Sequence, residues 1–112
     1  MKSEYYQKLK RERPWELHYY WGKDRCRTRK TNAHFEHYAG RGITFALTIR
    51  QIKLLWIRDH AQNLLQPSLD RINEKLGYTL FNCRFIEQAD NFLRTKGIEV
   101  GEENKALEAV NA

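Results

Sequence analysis

The sequence predicts an α+β fold in a single small domain. Its 112 residues match the length of one ordinary domain. Within residues 67–96, two short apolar segments are separated by a turn, and a segment with helical spacing follows them. Residues 14–28 and 49–63 show the start signals and apolar spacing of helices. We therefore expect a β-hairpin followed by one helix, with additional helices on the N-terminal side.

The N-terminal third is expected to be helical. Pro14 is a residue favoured in the first turn of a helix, and a helix is predicted over 14–28, weakened in its middle by Gly22. Residues 3–11 form either a separate short helix or a frayed arm. Three side chains of the longer helix fall near one face: Trp15, Tyr19 and Cys26. The tryptophans and tyrosines are expected to pack in the core rather than to stack on bases.

The central helix has the clearest start signal in the chain. Thr48 is followed three residues later by Gln51, which is the pattern of a capping box. Four apolar residues continue with helical spacing: Ile49, Ile52, Leu55 and Trp56. We expect a helix over 49–63. Before it, Gly40 and Gly42 flank Arg41, a pattern that predicts a tight turn presenting the guanidinium group.

The hairpin and the last helix are predicted from the stretch PSLDRINEKLGYTLFNCRFIEQADN. The segment SLDRI, residues 68–72, is expected to be a strand, and residues 73–77 a turn. The segment NCRFI, residues 82–86, is the second strand. The helix is expected over 87–96, ending before Gly97.

Positive charge is concentrated at the start of the chain. Residues 1–30 carry ten Lys and Arg against four Asp and Glu, an excess equal to the +6 net charge of the whole protein. Such a distribution is typical of a segment that binds a polyanion, although a solvated basic helix face is the alternative. We divide the chain into a basic N-terminal arm (1–33), a core (34–96) and an acidic tail (97–112). The candidate DNA contacts of the arm are Arg25, Arg27, Arg29 and Lys30.

Other features limit the classes of protein to consider. The chain has no apolar run long enough for a membrane span and no apolar signal core at its start, so a cytoplasmic protein without membrane contact is expected. Its two cysteines, Cys26 and Cys83, lie far apart without a CxxC pair. Neither a disulfide framework nor a four-ligand zinc site is expected, and both cysteines are interpreted as small reduced apolar residues.

Asp70 and Asn91 are the candidate metal ligands. A hairpin packed on a helix can aim a side chain from its first strand and one from the helix at the same point. Both residues offer hard oxygen ligands, and two protein oxygens supplemented by water and phosphate suit Mg²⁺. The alternative is that both are ordinary surface polar residues.

Residues 38–96 resemble the HNH endonuclease superfamily, in a branch associated with phages and mobile elements. That branch carries a YGGRGI turn, a helix with an internal Trp, and a later pattern of P-S-x-D-R-I-D, G-Y, N-C-R and N. The corresponding pieces here are YAGRGI (38–43), LLWIRD (54–59), PSLDRI (67–72), LGYTLFNCRFIE (76–87) and DN (90–91). The RC at 25–26 looks more loosely like the N-terminal segment of the family.

The resemblance implies a ββα-metal fold that cuts DNA with one divalent ion. It implies that Asp70 and Asn91 bind the metal and that Asn82 holds the geometry of the hairpin. The usual general base of the family is a His directly after the metal-binding Asp, but this chain has Arg71 there. Arginine cannot accept a proton from water, whereas it can bind and stabilise a phosphate.

A base must therefore come from elsewhere if the chain is a nuclease, or the metal must activate water without a protein base. The candidates are His37 first, then His34, with Tyr38 in a polar or nucleophilic role. Ala39 replaces a Gly of the branch, and Asn73 replaces an Asp that often follows DRI. Further candidate phosphate contacts are Arg41, Arg84 and Arg94.

The expected function is a metal-dependent endonuclease or nickase that hydrolyses phosphodiester bonds of double-stranded DNA. The expected cofactor is Mg²⁺ or Mn²⁺, with no zinc, and a homodimer is left open. The resemblance implies a phage- or mobile-element-encoded protein acting in the cytoplasm of a bacterial host. One alternative is a catalytically degenerate DNA-binding module on the same fold. Another is a small interaction protein whose basic arm binds RNA or an acidic partner.

Overall fold

The computed structural model describes residues 3–29 and 31–95, and this part of the chain has an α+β fold. Its helices and strands, in chain order, are α1 (Glu4–Glu12), α2 (Pro14–Arg25), α3 (Ile49–Arg58), β1 (Pro67–Arg71), β2 (Cys83–Glu87) and α4 (Gln88–Thr95). The predicted fold class and the order of its elements are confirmed. Lys30, the side chain of Arg94 and residues 97–112 lie outside the described part.

The β-hairpin carries one helix on each of its faces. In the antiparallel register Leu69 lies opposite Phe85 and Asp70 lies opposite Arg84. Residues directly opposite each other share a face. Leu69 and Phe85 are buried on the first face, where the Phe85 ring lies 5.1 Å from the ring of Trp56 in α3. The second face is covered by α4 and carries Asp70.

The N-terminal helices pack onto this unit. In α1 the hydroxyl of Ser3 accepts a hydrogen bond from the backbone N–H of Tyr6, so residues 4–12 form a capped helix and the frayed-arm alternative is wrong. In α2, Leu17 is buried and the Trp15 ring lies 6.4 Å from that of Trp56. The basic segment is therefore packed against the body of the protein through α2.

The second helix ends three residues earlier than predicted, at Arg25 rather than residue 28. The cause is Asn32, whose side-chain Nδ2 lies 3.1 Å from the Arg25 carbonyl and 3.2 Å from the Arg27 carbonyl and donates to both. Gly22 has a packing role in this helix, because a Cβ there would collide with the ring of Phe45. The glycine that weakens the helix is thus required by a tertiary contact.

The capping box at the start of α3 is confirmed, with both the Thr48 and the Gln51 hydrogen bonds present. The prediction that this helix continues to residue 63 is wrong. The carboxylate of Asp59 accepts the backbone N–H of Phe85 at 2.8 Å, and His60 follows in the left-handed region with φ 51°. These contacts end α3 at Arg58, and Ala61–Asn63 form a separate 3₁₀ turn.

Both strands are shifted by one residue from their predicted bounds, and the tight turn before α3 is present. Ala39–Arg41 form a 3₁₀ turn that ends at Gly42, whose φ of 77° is the conformation that glycine favours. Ala39 itself lies in the helical part of the turn, so the replaced glycine is not required for its φ.

No helix in the described part of the chain combines the length and the apolar character needed to cross a membrane.

His18 is a titratable side chain within the aromatic part of the core. Its ring contacts those of Trp21, Trp56 and Phe85 at centroid distances of 5.1, 5.9 and 5.1 Å. Burial, reinforced by the charge of Arg25, lowers the pKa of His18 from 6.5 to about 4. The imidazole is therefore neutral in the folded protein at pH 7.

Protonation of His18 should make the protein less stable in acid. Between pH 6.5 and about 4 the unfolded state binds the proton and the folded state does not, so the free energy of unfolding falls as the pH falls through this window. We expect His18 to contribute about 2–3 kcal/mol to the loss between pH 7.5 and 4.5. Urea unfolding at both pH values should show a smaller loss in His18→Phe, which keeps an aromatic ring. An equal loss in both proteins would contradict this assignment.

Candidate functional site

A cleft of about 270 Å³ lies beside the hairpin face that α4 covers. Its lining includes both candidate metal ligands, one residue of α2 and one residue of the turn before α3. Five of the predicted site residues line it: Arg25, Tyr38, Asp70, Arg71 and Asn91. The fold thus brings together residues that are up to 66 positions apart in the sequence, from 25 to 91.

Asp70 is the buried acidic group of this cleft. It is only 6% exposed, and one of its oxygens, Oδ2, accepts a hydrogen bond from Nε of Arg84 at 2.9 Å. Arg84 is the directly opposite residue on β2, and its side chain is 41% exposed. A carboxylate has two oxygens and about four acceptor positions. The ion pair therefore helps to hold the carboxylate in place, and an oxygen ligand of this type suits a cation.

Asn91 is positioned by a hydrogen bond to the strand that carries Asp70. Its Nδ2 donates to Oγ of Ser68 at 2.8 Å. Ser68 precedes Asp70 by two positions, so both side chains lie on the same face of β1, about 7 Å apart along the strand. The bond uses the amide nitrogen of Asn91, and the side-chain oxygen is its candidate cation ligand. The carboxylate on β1 and the amide on α4 thus line the same cleft.

Arg71 is held in a defined orientation at the edge of the cleft. Its Nη1 donates to the backbone carbonyls of Glu74 at 2.7 Å and Leu76 at 3.1 Å. Its guanidinium carbon lies 5.4 Å from the ring centroid of Tyr38 and 5.3 Å from that of Tyr78. Both distances are within the range of cation–π interactions. The positive charge next to Asp70 is therefore fixed by four contacts.

Asn82 holds the loop between the strands. Its Oδ1 accepts the backbone N–H of Asn73 at 2.9 Å, and its Nδ2 donates to the carbonyls of Asn73 at 3.0 Å and Gly77 at 2.8 Å. The residue is 8% exposed. Asn73 is an exposed loop residue that does not line the cleft, and its Oδ1 accepts the N–H of Lys75. The carboxylate that the HNH branch often carries at this position would therefore lie in the loop.

The candidate bases and several candidate phosphate contacts lie outside the cleft. His34 and His37 are exposed and do not line it. His34 is linked to it indirectly, because its ring meets that of Tyr38 edge-on at a centroid distance of 6.1 Å. Arg41 is exposed on its turn. Arg27 and Arg29 line a separate groove next to α2.

The cleft residues that sequence reasoning missed include Ser68, Glu74 and Tyr78. The period of two along a strand could have identified Ser68, because it places residue 68 on the face of Asp70. No local pattern marks Tyr78 as a partner of Arg71. Burial raises the pKa of the Tyr78 hydroxyl above its usual value, so this group remains protonated at neutral pH.

The chemistry of Asp70 and Asn91 fits a hard divalent cation. Among the residues whose placement is described, no group of three or more His, Cys, Asp or Glu side chains forms a ready metal cluster. One carboxylate and one amide oxygen leave most of a coordination shell to water and to phosphate oxygens. Mg²⁺ is commonly bound in this way, through one or two carboxylates with several retained waters.

No protein-family model, curated protein or solved structure matches this chain.

Replacement of Asn82 by Ala should destabilise the protein by about 3 kcal/mol, because three partly buried hydrogen bonds to the loop backbone are lost. Urea unfolding should show this loss against Asn63→Ala, a change at an exposed asparagine outside the loop. A difference of less than about 0.5 kcal/mol between the two variants would show that the loop does not depend on Asn82.

Proposed function

We propose that the protein is a metal-dependent endonuclease or nickase acting on double-stranded DNA. The observation that carries this proposal is the cleft whose lining includes Asp70 of β1, Asn91 of α4 and Arg71. The order β1, β2, α4 is the order of elements that the HNH resemblance implies for a ββα-metal nuclease. The resemblance also implies one metal ligand on the first strand and one on the helix, which are the positions of Asp70 and Asn91. The basic N-terminal segment supplies charge of the sign that DNA requires.

Asp70 and Asn91 would hold Mg²⁺ or Mn²⁺ in this proposal. When bound, the ion would polarise the scissile phosphate and stabilise the leaving oxygen. The protein contributes a buried carboxylate on a strand whose position is fixed by pairing with β2. It also contributes an amide whose orientation is fixed by Ser68.

Arg71 would bind the phosphate. Its side chain is already oriented by two carbonyls and two tyrosine rings, so little rotamer entropy remains to be lost when an anion binds. A guanidinium presents several N–H donors in one plane, which suits the oxygens of a phosphodiester. The same group stabilises negative charge that develops during hydrolysis.

The first candidates for the general base lie in the segment 34–38. The ring contact with Tyr38 links His34 to the cleft, which favours His34 over His37. Glu74 is a further candidate outside this segment, because it is a carboxylate that lines the cleft directly.

Two observations favour a second function, a DNA-binding module that does not cut. None of the described residues that line the cleft is a histidine, and Asp70 is already paired with the cation of Arg84. In such a module the Arg84–Asp70 pair would be a permanent structural contact. DNA would then bind without metal-dependent cleavage.

Asp70→Asn should abolish nicking of supercoiled plasmid in Mg²⁺ or Mn²⁺. Loss of the carboxylate removes the charged ligand, and we expect the rate to fall on the order of 100-fold or more. The parent should also bind Mn²⁺ in calorimetry, and the variant should not. The exposed Glu12→Gln in α1 serves as the control for a lost carboxylate elsewhere, and EDTA should stop the parent. If Asp70→Asn cuts as fast as the parent, the metal assignment is wrong.

Single substitutions should identify the base. If His34 accepts the proton, His34→Ala should nick on the order of 100-fold more slowly than the parent while it binds duplex DNA as the parent does. His37→Ala is measured in parallel. His60→Asn is the control, because it changes an exposed histidine and Asn tolerates the positive φ there. Full activity in His34→Ala together with a comparable loss in Glu74→Gln would instead assign the base to Glu74.

A further inference from the structure

A second concave surface, here called the basic groove, lies next to the cleft. It has a volume of about 530 Å³, and its lining includes Lys23, Cys26, Arg27, Arg29, Ile43 and Phe45. Three of these side chains are cationic, and no described residue of the lining is acidic. The groove therefore combines three positive charges with an apolar floor, a combination that concentrates the electrostatic field.

One ion pair reduces the charge of this surface only slightly. The Nε of Arg27 lies 3.0 Å from Oδ1 of Asp24, and both side chains are more than half exposed. Ion pairs in such exposed positions contribute little and are screened by salt. Arg27 can therefore leave Asp24 and bind a phosphate with little loss of free energy.

The basic groove and the cleft share a dividing wall. Arg25 lines the cleft and the next residue, Cys26, lines the groove. In the turn before α3, Tyr38 lines the cleft and the next residue, Ala39, lines the groove. In each of these two segments, consecutive residues therefore line different surfaces, one the cleft and the next the groove. A chain of phosphates that crosses this wall would pass directly from one surface to the other.

We propose that the basic groove binds the phosphodiester backbone of the DNA whose scissile phosphate enters the cleft. This inference deepens the proposed function and rests on it. Arg27, Arg29 and Lys23 contact phosphates that flank the cut, while Arg71 contacts the phosphate that is cut. Contacts of this kind position the DNA and carry no sequence information, so the groove supplies salt-dependent affinity without base specificity.

Binding without cleavage tests the groove. Fluorescence anisotropy with a labelled DNA duplex is measured in EDTA over a series of NaCl concentrations. Arg27→Gln/Arg29→Gln should bind on the order of 10-fold more weakly at 0.1 M NaCl, and its slope of log K against log salt should be lower by about 2. The matched control is Arg11→Gln/Arg50→Gln, which removes two exposed arginines of α1 and α3 that line neither surface. Equal losses in the two double variants, or no loss in either, would overturn the proposal.

Cys26 provides a second test in the unmodified protein. It is the half-buried cysteine of the groove, whereas Cys83 is fully buried and burial raises its pKa to about 12. Alkylation by N-ethylmaleimide at pH 8 therefore reports on Cys26. Saturating duplex should slow this reaction at least 5-fold, and a high-salt sample in which the DNA dissociates should react at the rate of the free protein. An unchanged rate at saturation would place the DNA elsewhere.

The two proposals fail in different ways. If the parent binds duplex through the groove but does not nick plasmid with any divalent ion, the groove is supported and the nuclease proposal is wrong. If the parent nicks plasmid and the groove variant binds and nicks as the parent does, the groove is wrong and the nuclease proposal is unaffected.

Discussion

The side chain of Asn82 is the constraint on which the cleft depends. It accepts from and donates to the backbone of Asn73 and also donates to Gly77, so it adds three hydrogen bonds to the backbone bonds within the loop. This loop presents the carbonyls of Glu74 and Leu76 to Arg71. It also leads into Tyr78, whose backbone exchanges hydrogen bonds with Thr44 and Ala46. One polar side chain therefore fixes the loop, the arginine beside the cleft and the segment that precedes α3.

A second constraint is the electrostatic balance of the cleft. Asp70 and Glu74 provide negative charge to the lining, and Arg25 and Arg71 provide positive charge. This arrangement suits a cation and an anion bound next to each other better than it suits either alone. A phosphodiester with a divalent ion is a ligand of that kind. The cleft is also small, so the remainder of the proposed DNA ligand would lie on the surfaces around it.

The parts of the fold that sequence predicted correctly are those whose signals are local. The start of α3 depends on Thr48 and Gln51, which are three positions apart, and the structure has both bonds. The ends of α2 and α3 depend on Asn32 and Asp59, whose partners include residues of other segments, and the predicted ends are wrong. Local spacing could not show which side chain would reach a distant carbonyl or N–H.

The candidate site shows the same division. Asp70 and Asn91 were predicted from oxygen chemistry and from the order of the strand and the helix, and the structure places both on one cleft. Their link through Ser68 follows from the period of a strand and could have been predicted. The position of Arg25 at the cleft depends on how α2 packs against α3, and the orientation of Arg71 depends on rings from two other segments. Neither could be read from spacing.

The pairing of Asp70 with Arg84 would allow a buried carboxylate to serve both stability and the proposed cation binding. A buried carboxylate without a cation nearby is costly, and an arginine on the opposite strand supplies one. Arg84 is 41% exposed, so its guanidinium can rotate into water without being buried elsewhere. A divalent ion that approached Asp70 would therefore compete with a guanidinium whose displacement into water costs little free energy. A fully buried arginine at the same position would make the exchange much more costly.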